Sequence, residues 1–381
     1  MINSKFFVLI VLTLSLVSCL EETPDEETQL ADRTVLFYLA GDNSLSDEAN
    51  AKLAALTEAW NIRGENNHLL VYHDGGESTT PRLLEIIHGG ENELAQVRVV
   101  EQYEQENSAS ATVFVRVLNS MVNLFPGSDY GLVVFSHGSG WLPEGTYVSS
   151  RSVMQDGIKE FDVKEFAKSI PNGRFRFIVF ESCLMAGVEV AYELIGKTEY
   201  ILASSAEVLS PGFTPLYGQM FPMLFGKTPQ LEQCAKAYFN YYNTQEGNNC
   251  SATVSLIKTS ELSPLKKLIA SAETHVEHWE WVERKDIQAF DRKEEHLFYD
   301  LANYIASVGT EREVAGVDSV LKKAIVYKEA TKTFLGGREG TERGFDILTH
   351  CGLTIYIPVA KYEYMNNQRK LLKLFSEHVG E

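Results

Sequence analysis

A cysteine and a histidine, each placed at the end of an apolar run, are the residues of this sequence best suited to covalent chemistry. Cys183 follows the run Phe175–Phe180, and His137 follows the run Gly131–Phe135. We interpret both runs as buried strands, since they are short and rich in β-branched and aromatic residues. A helical pattern begins soon after Cys183, and the positive end of a helix dipole favours the thiolate, the nucleophilic form of cysteine. If the two strands are neighbours, the pair forms a nucleophile and its base.

Short apolar runs alternate with helical patterns over residues 34–215. The predicted strands are Thr34–Ala40, His68–His73, Tyr130–Ser136, Phe175–Phe180 and Tyr200–Ser204, with an antiparallel hairpin over Pro81–Gln102. The predicted helices are Ser46–Asn61, Ser110–Leu124, Val163–Ser169 with Asp162 as its N-cap, and Val188–Ile195. The alternation predicts an α/β fold in which helices cover a mostly parallel sheet.

Residues 216–381 have a different pattern and predict a mostly helical C-terminal region. The predicted helices are Thr228–Tyr242, Ser260–Val282, Glu294–Ala306 and Glu311–Tyr327. Trp279, Trp281 and Val282 are interpreted as core residues of the second of these. Two further apolar runs, Ala252–Lys258 and Leu353–Pro358, could extend the sheet.

Polar residues follow several of the predicted strands directly. They include Asp42, Asp74, His137, Cys183 and Glu207. The carboxyl ends of parallel strands meet at one edge of a sheet, and ligands bind in the crevice outside that edge. We therefore expect these residues to lie near one another.

The charge of the chain excludes some classes of partner. With 52 acidic and 34 basic residues, the formal net charge is −18. Such a surface repels nucleic acid and favours basic substrates. The four cysteines after Cys19 have no metal-site spacing, and both a Cys234–Cys250 disulfide and two free thiols are compatible with the sequence. A G-x-S-x-G elbow is absent from the sequence, which argues against a serine hydrolase.

The first eighteen residues predict a signal peptide. Lys5 precedes the apolar run Phe6–Leu12, which is too short to span a bilayer comfortably. The ending Leu16–Cys19 resembles the lipobox of bacterial lipoproteins, in which the cysteine is acylated. The alternative is an ordinary secretory signal. Residues 19–33 are acidic and predict a tether, so we expect a lipid-anchored protein of the bacterial cell envelope, on the outer membrane, periplasmic or surface-exposed.

Four motifs together resemble the clostripain-like cysteine peptidase family, whose relatives are the caspases and gingipains. The motifs are Tyr38–Asn43, Ser136–Trp141, Glu181–Ala186 and Ala203–Glu207. The resemblance implies a caspase-like α/β/α fold, with His137 as the base and Cys183 as the nucleophile. It also implies cleavage of proteins or peptides after Arg or Lys.

The residues around this dyad have expected roles in substrate binding. Backbone N–H groups of Gly138 and Cys183 are the expected oxyanion donors, since glycine permits close approach of the backbone. Glu181 lies two residues before Cys183 and shares its face of the strand. The family often has Asp at this position. Glu181 and Glu207 are the candidates for a pocket that binds a basic side chain, with a strand-end carboxylate on a backbone N–H as the alternative for Glu181.

Asp42 and Trp141 are further candidates for the crevice, each with a structural alternative. Asp42 could line the crevice, although an N-cap for the following helix is favoured. Trp141 could form a wall of the pocket or close its loop. Some family members need calcium, and Asp42, Asp47, Glu48 and Asp156 offer oxygen ligands. Their spacing matches no calcium loop, so we assign no metal ligand from the sequence and require no cofactor.

The segment between His137 and Cys183 includes a polar stretch with Arg151, after which the resemblance suggests self-cleavage. An uncut surface loop is the alternative. Two other functions stay open: a catalytically silent surface module that binds peptides or glycans, and a peptidase that prefers Asn or Asp.

Overall fold

The structure, a computed structural model, describes residues 31–60, 67–89, 94–144, 152–339 and 344–376. The predicted signal peptide, Cys19 and Arg151 lie outside these ranges. The strands are β1 Ala31–Ala40, β2 Asn67–Asp74, β3 Arg82–Ile87, β4 Gln96–Gln102, β5 Gly127–Phe135, β6 Met154–Asp156, β7 Lys159–Phe161, β8 Phe175–Glu181, β9 Thr198–Ala203, β10 Thr253–Lys258, β11 Tyr299–Asp300, β12 Ile325–Ala330, β13 Thr333–Phe334, β14 Phe345–Asp346 and β15 Thr354–Ile355. The α-helices are α1 Ser46–Ala59, α2 Ala111–Leu124, α3 Val163–Ser169, α4 Val188–Glu193, α5 Tyr217–Phe225, α6 Leu231–Asn243, α7 Leu265–Glu273, α8 Leu301–Val308, α9 Glu311–Ala324 and α10 Glu363–Arg369.

A nine-stranded sheet has the order β12-β10-β9-β8-β5-β1-β2-β3-β4. The five central strands, β9-β8-β5-β1-β2, are parallel. Antiparallel strands complete both edges. The predicted α/β fold with parallel central strands is confirmed, and the carboxyl ends of these strands define one edge at which the candidate residues lie.

Side chains of β1 alternate between two apolar cores, one on each face of the sheet. Val35, Phe37 and Leu39 pack with α1, α5 and α6. Leu36 and Tyr38 point to the other face, which α2, α3, α4, α7, α8 and α9 cover. The period of two along the strand therefore produces three layers, helix–sheet–helix.

The first strand begins earlier than the acidic composition indicated. Ala31 pairs with Gly127 and Arg33 with Asp129. The Arg33 side chain is buried and donates to a carboxylate oxygen of Asp129 at 2.9 Å. The last residues of the predicted tether thus belong to the fold, because strand pairing and a partly buried ion pair hold them in the sheet.

Asp162 caps α3 as predicted, since its carboxylate accepts from the amides of Lys164 and Glu165. Other boundaries differ from the predictions. The predicted helix Ser260–Val282 is helical only over α7, Leu265–Glu273. Trp281 is 66 % exposed, so its assignment to the core is wrong.

Two predicted elements near the C-terminus have other partners than expected. The predicted helix Glu311–Tyr327 ends at Ala324, after which β12 adds to the edge of the sheet beside β10. Its first residues, Ile325 to Tyr327, are β-branched or aromatic and suit a strand. In the run Leu353–Pro358 only β15 is a strand, and it pairs with β11 outside the main sheet. None of the helices in the described ranges has the length and apolar character that a bilayer crossing requires.

Candidate active site

His137 and Cys183 occupy equivalent positions on two adjacent parallel strands. Phe135 at the end of β5 is the register partner of Glu181 at the end of β8. Each of the two candidate residues lies two positions beyond its member of this pair. A Cβ placed on Gly138 would lie 2.8 Å from the Cys183 carbonyl oxygen and 3.2 Å from the Cys183 nitrogen. The His137–Gly138 and Ser182–Cys183 segments are therefore in contact.

The sulfur of Cys183 contacts the segment that follows β9. The Val208 amide lies 3.4 Å from Sγ, and an N–H group directed at sulfur favours the thiolate. The sequence argument from a helix dipole is weaker than expected. Helix α4 begins only at Val188 and has six residues, and a dipole acts mainly within the adjoining turn.

A sharp turn follows Cys183. Leu184 has a φ of +64°, a conformation that costs a non-glycine residue about 1–2 kcal/mol. The Leu184 amide donates to the Ala206 carbonyl at 2.9 Å, and the Ala186 amide donates to the Ser204 carbonyl at 2.9 Å. These bonds hold the turn, so Cys183 stands on a strained segment fixed to the residues that follow the neighbouring strand β9.

Ser44 is a residue of the site that sequence analysis missed. Its hydroxyl lies 2.7 Å from Nε2 of His137, and it belongs to the loop between β1 and α1. The sequence signal that could have identified Ser44 as a site residue is its position shortly after a predicted strand. The hydrogen bond orients the imidazole from the loop after β1, which lies on the side of β5 opposite β8.

Gly138 is required by the close approach of two backbones. A Cβ at this position would also lie 2.9 Å from the Ser182 Cβ, nearer than real contacts allow. The absence of a side chain lets the segment after β5 lie directly on the nucleophile segment. The backbone arrangement is compatible with oxyanion donors at Gly138 and Cys183.

Glu181 is buried and already has a cationic partner. Its Oε2 lies 2.6 Å from Nζ of Lys52, and each side chain is 1 % exposed. The Tyr217 hydroxyl donates to the same carboxylate at 3.0 Å. Lys52 also donates to Thr214 at 2.8 Å. The negative charge of Glu181 is thus compensated within the chain, at a buried position rather than in an open pocket.

Glu207 is also paired, but it is accessible to solvent. Arg292 donates from Nε and from Nη2 to its two oxygens, at 2.7 and 3.0 Å. The two side chains are 29 % and 28 % exposed. Glu207 directly precedes Val208, whose amide contacts the sulfur. Of the two predicted pocket carboxylates, Glu207 is therefore the one that a substrate could reach.

The favoured interpretation of Asp42 as a helix cap is wrong. Helix α1 has Leu45 at its N-cap position and no side-chain cap, and Asn43 instead accepts from the Leu45 amide at 2.9 Å. Trp141 is 1 % exposed and packs edge to face on Tyr356. It closes its loop against the core and does not wall an open pocket.

Three aspartates lie together at the ends of β1, β2 and β6. Carboxylate oxygens of Asp42, Asp74 and Asp156 are all within 4.8 Å of one another. Asp47 and Glu48, the other oxygen ligands considered from the sequence, are not in this group. Burial raises the pKa of Asp74 to about 7, because a charged carboxylate is poorly solvated there.

The remaining cysteines of the described ranges are free thiols. Cys234 and Cys250 do not form the disulfide that the sequence left open. Burial raises the pKa of Cys234 to about 12, which keeps that thiol protonated and inert. Cys183 is the cysteine at the crevice.

The profile of the Clostripain family matches residues 37–379. The chain belongs to the clostripain family. This confirms the resemblance drawn from the four motifs, and it makes the chain a cysteine peptidase, a hydrolase of peptide bonds. No curated protein matches the sequence significantly.

Two solved structures of C11 proteases each match 91 % of this chain. One is an inactive zymogen of a C11 protease from Parabacteroides distasonis, 28 % identical with a TM-score of 0.77, covering 91 % of this chain and 97 % of that one. Another is a secreted C11 cysteine protease from Bacteroides thetaiotaomicron in complex with an irreversible peptide inhibitor, 25 % identical with a TM-score of 0.77, covering 91 % and 98 %.

Proposed function

We propose that this clostripain-family chain is an endopeptidase that cleaves after Arg or Lys with Cys183 as nucleophile and His137 as general base and acid. The observation that carries the proposal is the register of β5 and β8, which brings both residues to equivalent positions beyond one strand pair. The contact between Gly138 and the Cys183 backbone supports it.

The reaction proceeds through two displacements at one carbonyl carbon. His137 accepts the thiol proton, and Sγ forms a bond to the carbonyl carbon of the scissile peptide. As the tetrahedral intermediate collapses, the C–N bond breaks and His137 protonates the departing amine. Water then forms a bond to the thioester carbon while His137 accepts its proton. The C–S bond breaks, the carboxylic acid product leaves, and the Cys183 thiolate recovers the proton from His137.

Backbone N–H groups of Gly138 and Cys183 are the proposed donors to the carbonyl oxygen as it becomes negative. Donors fixed in advance stabilise the transition state without reorganisation. Loss of one such donor raises the barrier by roughly 3 kcal/mol. Ser44 supports proton transfer by orienting His137.

Basic specificity is supported by charge and accessibility. The chain carries a net charge of −18, and the Glu207 carboxylate lies next to the residue that contacts the sulfur. A guanidinium matches the two oxygens of a carboxylate, as the pairing with Arg292 illustrates. A substrate arginine would exchange places with Arg292.

A preference for Asn or Asp is the second candidate, and the paired carboxylates favour it. Lys52 compensates Glu181 and Arg292 compensates Glu207, so a pocket that keeps both pairs has no net negative charge. Arg292 would then bind a polar or acidic side chain.

A panel of fluorogenic peptides that vary only the residue before the scissile bond separates these candidates. We expect cleavage after Arg and Lys, abolished in Cys183→Ala and His137→Ala. Cleavage only after Asn or Asp would establish the second candidate. Labelling by a chloromethyl ketone bearing Arg is expected in the wild-type chain and not in Cys183→Ala. No labelling of either, together with no cleavage of any peptide of the panel, would indicate a silent binding module.

We also propose self-cleavage after Arg151, in the segment between the two catalytic residues. Intact mass measurement is expected to show this cut in the wild-type chain and an uncut Cys183→Ala variant. The same cut in both, or in neither, would refute it.

The lipobox-like ending at Cys19 supports anchorage to the bacterial cell envelope through an acylated cysteine. The expected result is a membrane-associated wild-type protein whose N-terminal peptide carries the mass of a diacylglycerol. Cys19→Ser should be recovered without lipid. A wild-type peptide lacking lipid would contradict the anchor.

A further inference from the structure

Residues 207–214, here called the crevice segment, follow β9 and contact the sulfur of Cys183. The amide of Val208 lies 3.4 Å from Sγ, and its carbonyl oxygen lies 3.9 Å from Sγ. The preceding residue, Glu207, carries the carboxylate that is accessible at the crevice. The position of the crevice segment therefore decides both the surroundings of the sulfur and the place of this carboxylate.

The tip of the crevice segment is an exposed turn. Ser210 and Pro211 are exposed, and the Gly212 amide donates to the Leu209 carbonyl at 2.8 Å. This bond closes the turn and fixes its local shape. It does not fix where the turn lies relative to Cys183, so that position depends on side chains from other elements.

Helix α6 holds the tip from one side. The Tyr242 hydroxyl donates to the Gly212 carbonyl at 2.8 Å and lies 3.2 Å from the Leu209 carbonyl oxygen. Tyr238, one helical turn earlier on the same face, stacks on Phe213 with the ring centroids 4.3 Å apart. Tyr242 is buried, so loss of its hydroxyl would leave carbonyl oxygens of the tip without their donor.

Helix α1 holds the crevice segment through Lys52. Nζ of this residue donates to the Pro211 carbonyl at 3.2 Å and to the Thr214 hydroxyl at 2.8 Å. Glu181 compensates the ammonium charge at 2.6 Å. Because the pair is buried, the ammonium is held in one place and can serve as a fixed donor to the segment.

Gly212 connects this buried pair to the residue that contacts the sulfur. A Cβ on Gly212 would lie 3.3 Å from Nζ of Lys52 and 3.7 Å from Cγ1 of Val208, and its φ is +63°. The close approach and the left-handed conformation both favour glycine. A series of contacts therefore leads from α1 through Gly212 and Val208 to Sγ.

We propose that Tyr242 and Lys52 are positioning residues, which hold the crevice segment so that the Val208 amide stays on the Cys183 sulfur. Glu181 then compensates the charge of Lys52 and does not bind substrate. The consequence for catalysis rests on the proposed function of Cys183 as the nucleophile. The contact with the sulfur can be tested without peptidase activity.

The pH dependence of alkylation by iodoacetamide measures this contact. The full chain is treated over about pH 5 to 9, and mass spectrometry of the peptide that contains Cys183 gives its rate separately from the other cysteines. An N–H group directed at sulfur favours the thiolate. Tyr242→Phe should therefore move the midpoint of the profile upward by about half a unit to one unit, which slows alkylation below the midpoint about three- to tenfold.

Tyr242→Phe keeps the charged and titratable groups around the sulfur in place, so a shift reports the position of the segment. These groups are His137, Glu207 with Arg292, Glu181 with Lys52, and Tyr238.

Tyr304→Phe is the matched control. The Tyr304 side chain is buried on the opposite face of the sheet, and its hydroxyl donates to Glu273 at 3.2 Å. It should lower Tm about as much as Tyr242→Phe does, but leave the alkylation profile as in the wild type. An equal shift of the profile in both variants would overturn the positioning role.

Thr214→Val removes a partner of Lys52 at a half-buried position, and it tests the support from α1 even if Tyr242→Phe does not fold. We expect a smaller upward shift of the alkylation profile. An unshifted profile in folded Tyr242→Phe would overturn the role of Tyr242, and an unshifted profile in Thr214→Val would overturn that of Lys52.

Peptide cleavage tests the catalytic consequence. The kcat/KM of Tyr242→Phe on an Arg substrate should fall about three- to tenfold, and that of Tyr304→Phe should equal the wild-type value. If alkylation shifts but kcat/KM does not, the contact stands and its catalytic consequence is refuted. If alkylation shifts and the wild-type chain cleaves no peptide, the proposed function fails while the positioning of the segment stands.

Discussion

The Arg292 guanidinium donates two hydrogen bonds to the Glu207 carboxylate, at 2.7 and 3.0 Å, one residue before the amide that contacts the Cys183 sulfur. An arginine of the chain itself therefore holds the carboxylate that a basic substrate would use. If the pocket binds Arg or Lys, Arg292 and the substrate compete for Glu207.

Arg292→Gln should therefore increase activity on substrates with Arg before the scissile bond. A partly exposed ion pair contributes at most about 1 kcal/mol, so we expect kcat/KM to rise by up to about fivefold. The increase should appear mainly as a lower KM. Steady-state kinetics with one Arg and one Asn substrate measure it.

Arg338→Gln is the matched control, since Arg338 is 81 % exposed and its Nε lies 3.9 Å from an oxygen of Asp346. Its kinetics should equal those of the wild type. A loss of Arg cleavage in Arg292→Gln would contradict competition. A loss restricted to the Asn substrate would support the second candidate specificity.

The buried pair Lys52–Glu181 predicts a large effect on stability. Lys52→Met leaves the Glu181 carboxylate buried without its cation, which typically costs about 3–5 kcal/mol. The double variant Lys52→Met/Glu181→Gln should recover much of this loss. Urea denaturation gives the free energy of unfolding of each variant.

Lys236→Met provides the comparison, because Lys236 and its partner Glu232 are 40 % and 45 % exposed. It should change the free energy of unfolding by less than about 1 kcal/mol. Equal effects of Lys52→Met and Lys236→Met would show that burial of Glu181 does not require its lysine.

Ser44 is predicted to position His137, the proposed general base. Ser44→Ala removes a hydrogen bond to His137, and we expect kcat to fall about three- to tenfold, which corresponds to roughly 1 kcal/mol. KM and Tm should change little, since Ser44 is exposed. The pH profile of kcat/KM should shift with the loss of the bond.

Ser44→Thr keeps the hydroxyl and should restore most of the activity and the wild-type pH profile. If Ser44→Thr is as impaired as Ser44→Ala, the hydroxyl is not the cause. Unchanged kinetics of Ser44→Ala would contradict the positioning role.

The raised pKa of Glu189 predicts how the free energy of unfolding depends on pH. Burial raises its pKa to about 7, although Oε1 accepts from the Tyr356 amide at 2.8 Å. A carboxyl group with a raised pKa in the folded state stabilises at low pH, and that contribution is lost as pH rises from about 4.5 to 7. The shift corresponds to about 3 kcal/mol.

Glu189→Gln cannot ionise and should flatten this part of the profile, with a gain in stability above pH 7. The measurement is the free energy of unfolding from pH 4 to pH 8 for both proteins. Glu165→Gln, at an exposed helical position, should follow the wild type. A wild-type profile that rises through this window and is copied by Glu189→Gln would contradict the assignment.

The spacing of apolar residues predicted many of the strands and helices, because apolar positions recur every two residues in a strand and every three to four in a helix. The runs that end before His137 and Cys183 became β5 and β8, and Asp162 capped α3. The same reasoning failed at Glu311–Tyr327. There the helical pattern continues into β12, whose β-branched and aromatic residues pair with the edge that β10 offers.

The sequence by itself determined which residues are the candidates for the chemistry, since Cys183, His137 and Gly138 lie directly after recognisable strands. Only the tertiary structure decided their electrostatic surroundings. Arg292 reaches Glu207 from 85 positions along the chain, and Ser44 reaches His137 from 93. Contacts at such separations depend on how the layers pack, and no local period encodes them. For the same reason the sequence could not predict that the Val208 amide, in the segment that follows β9, contacts the Cys183 sulfur.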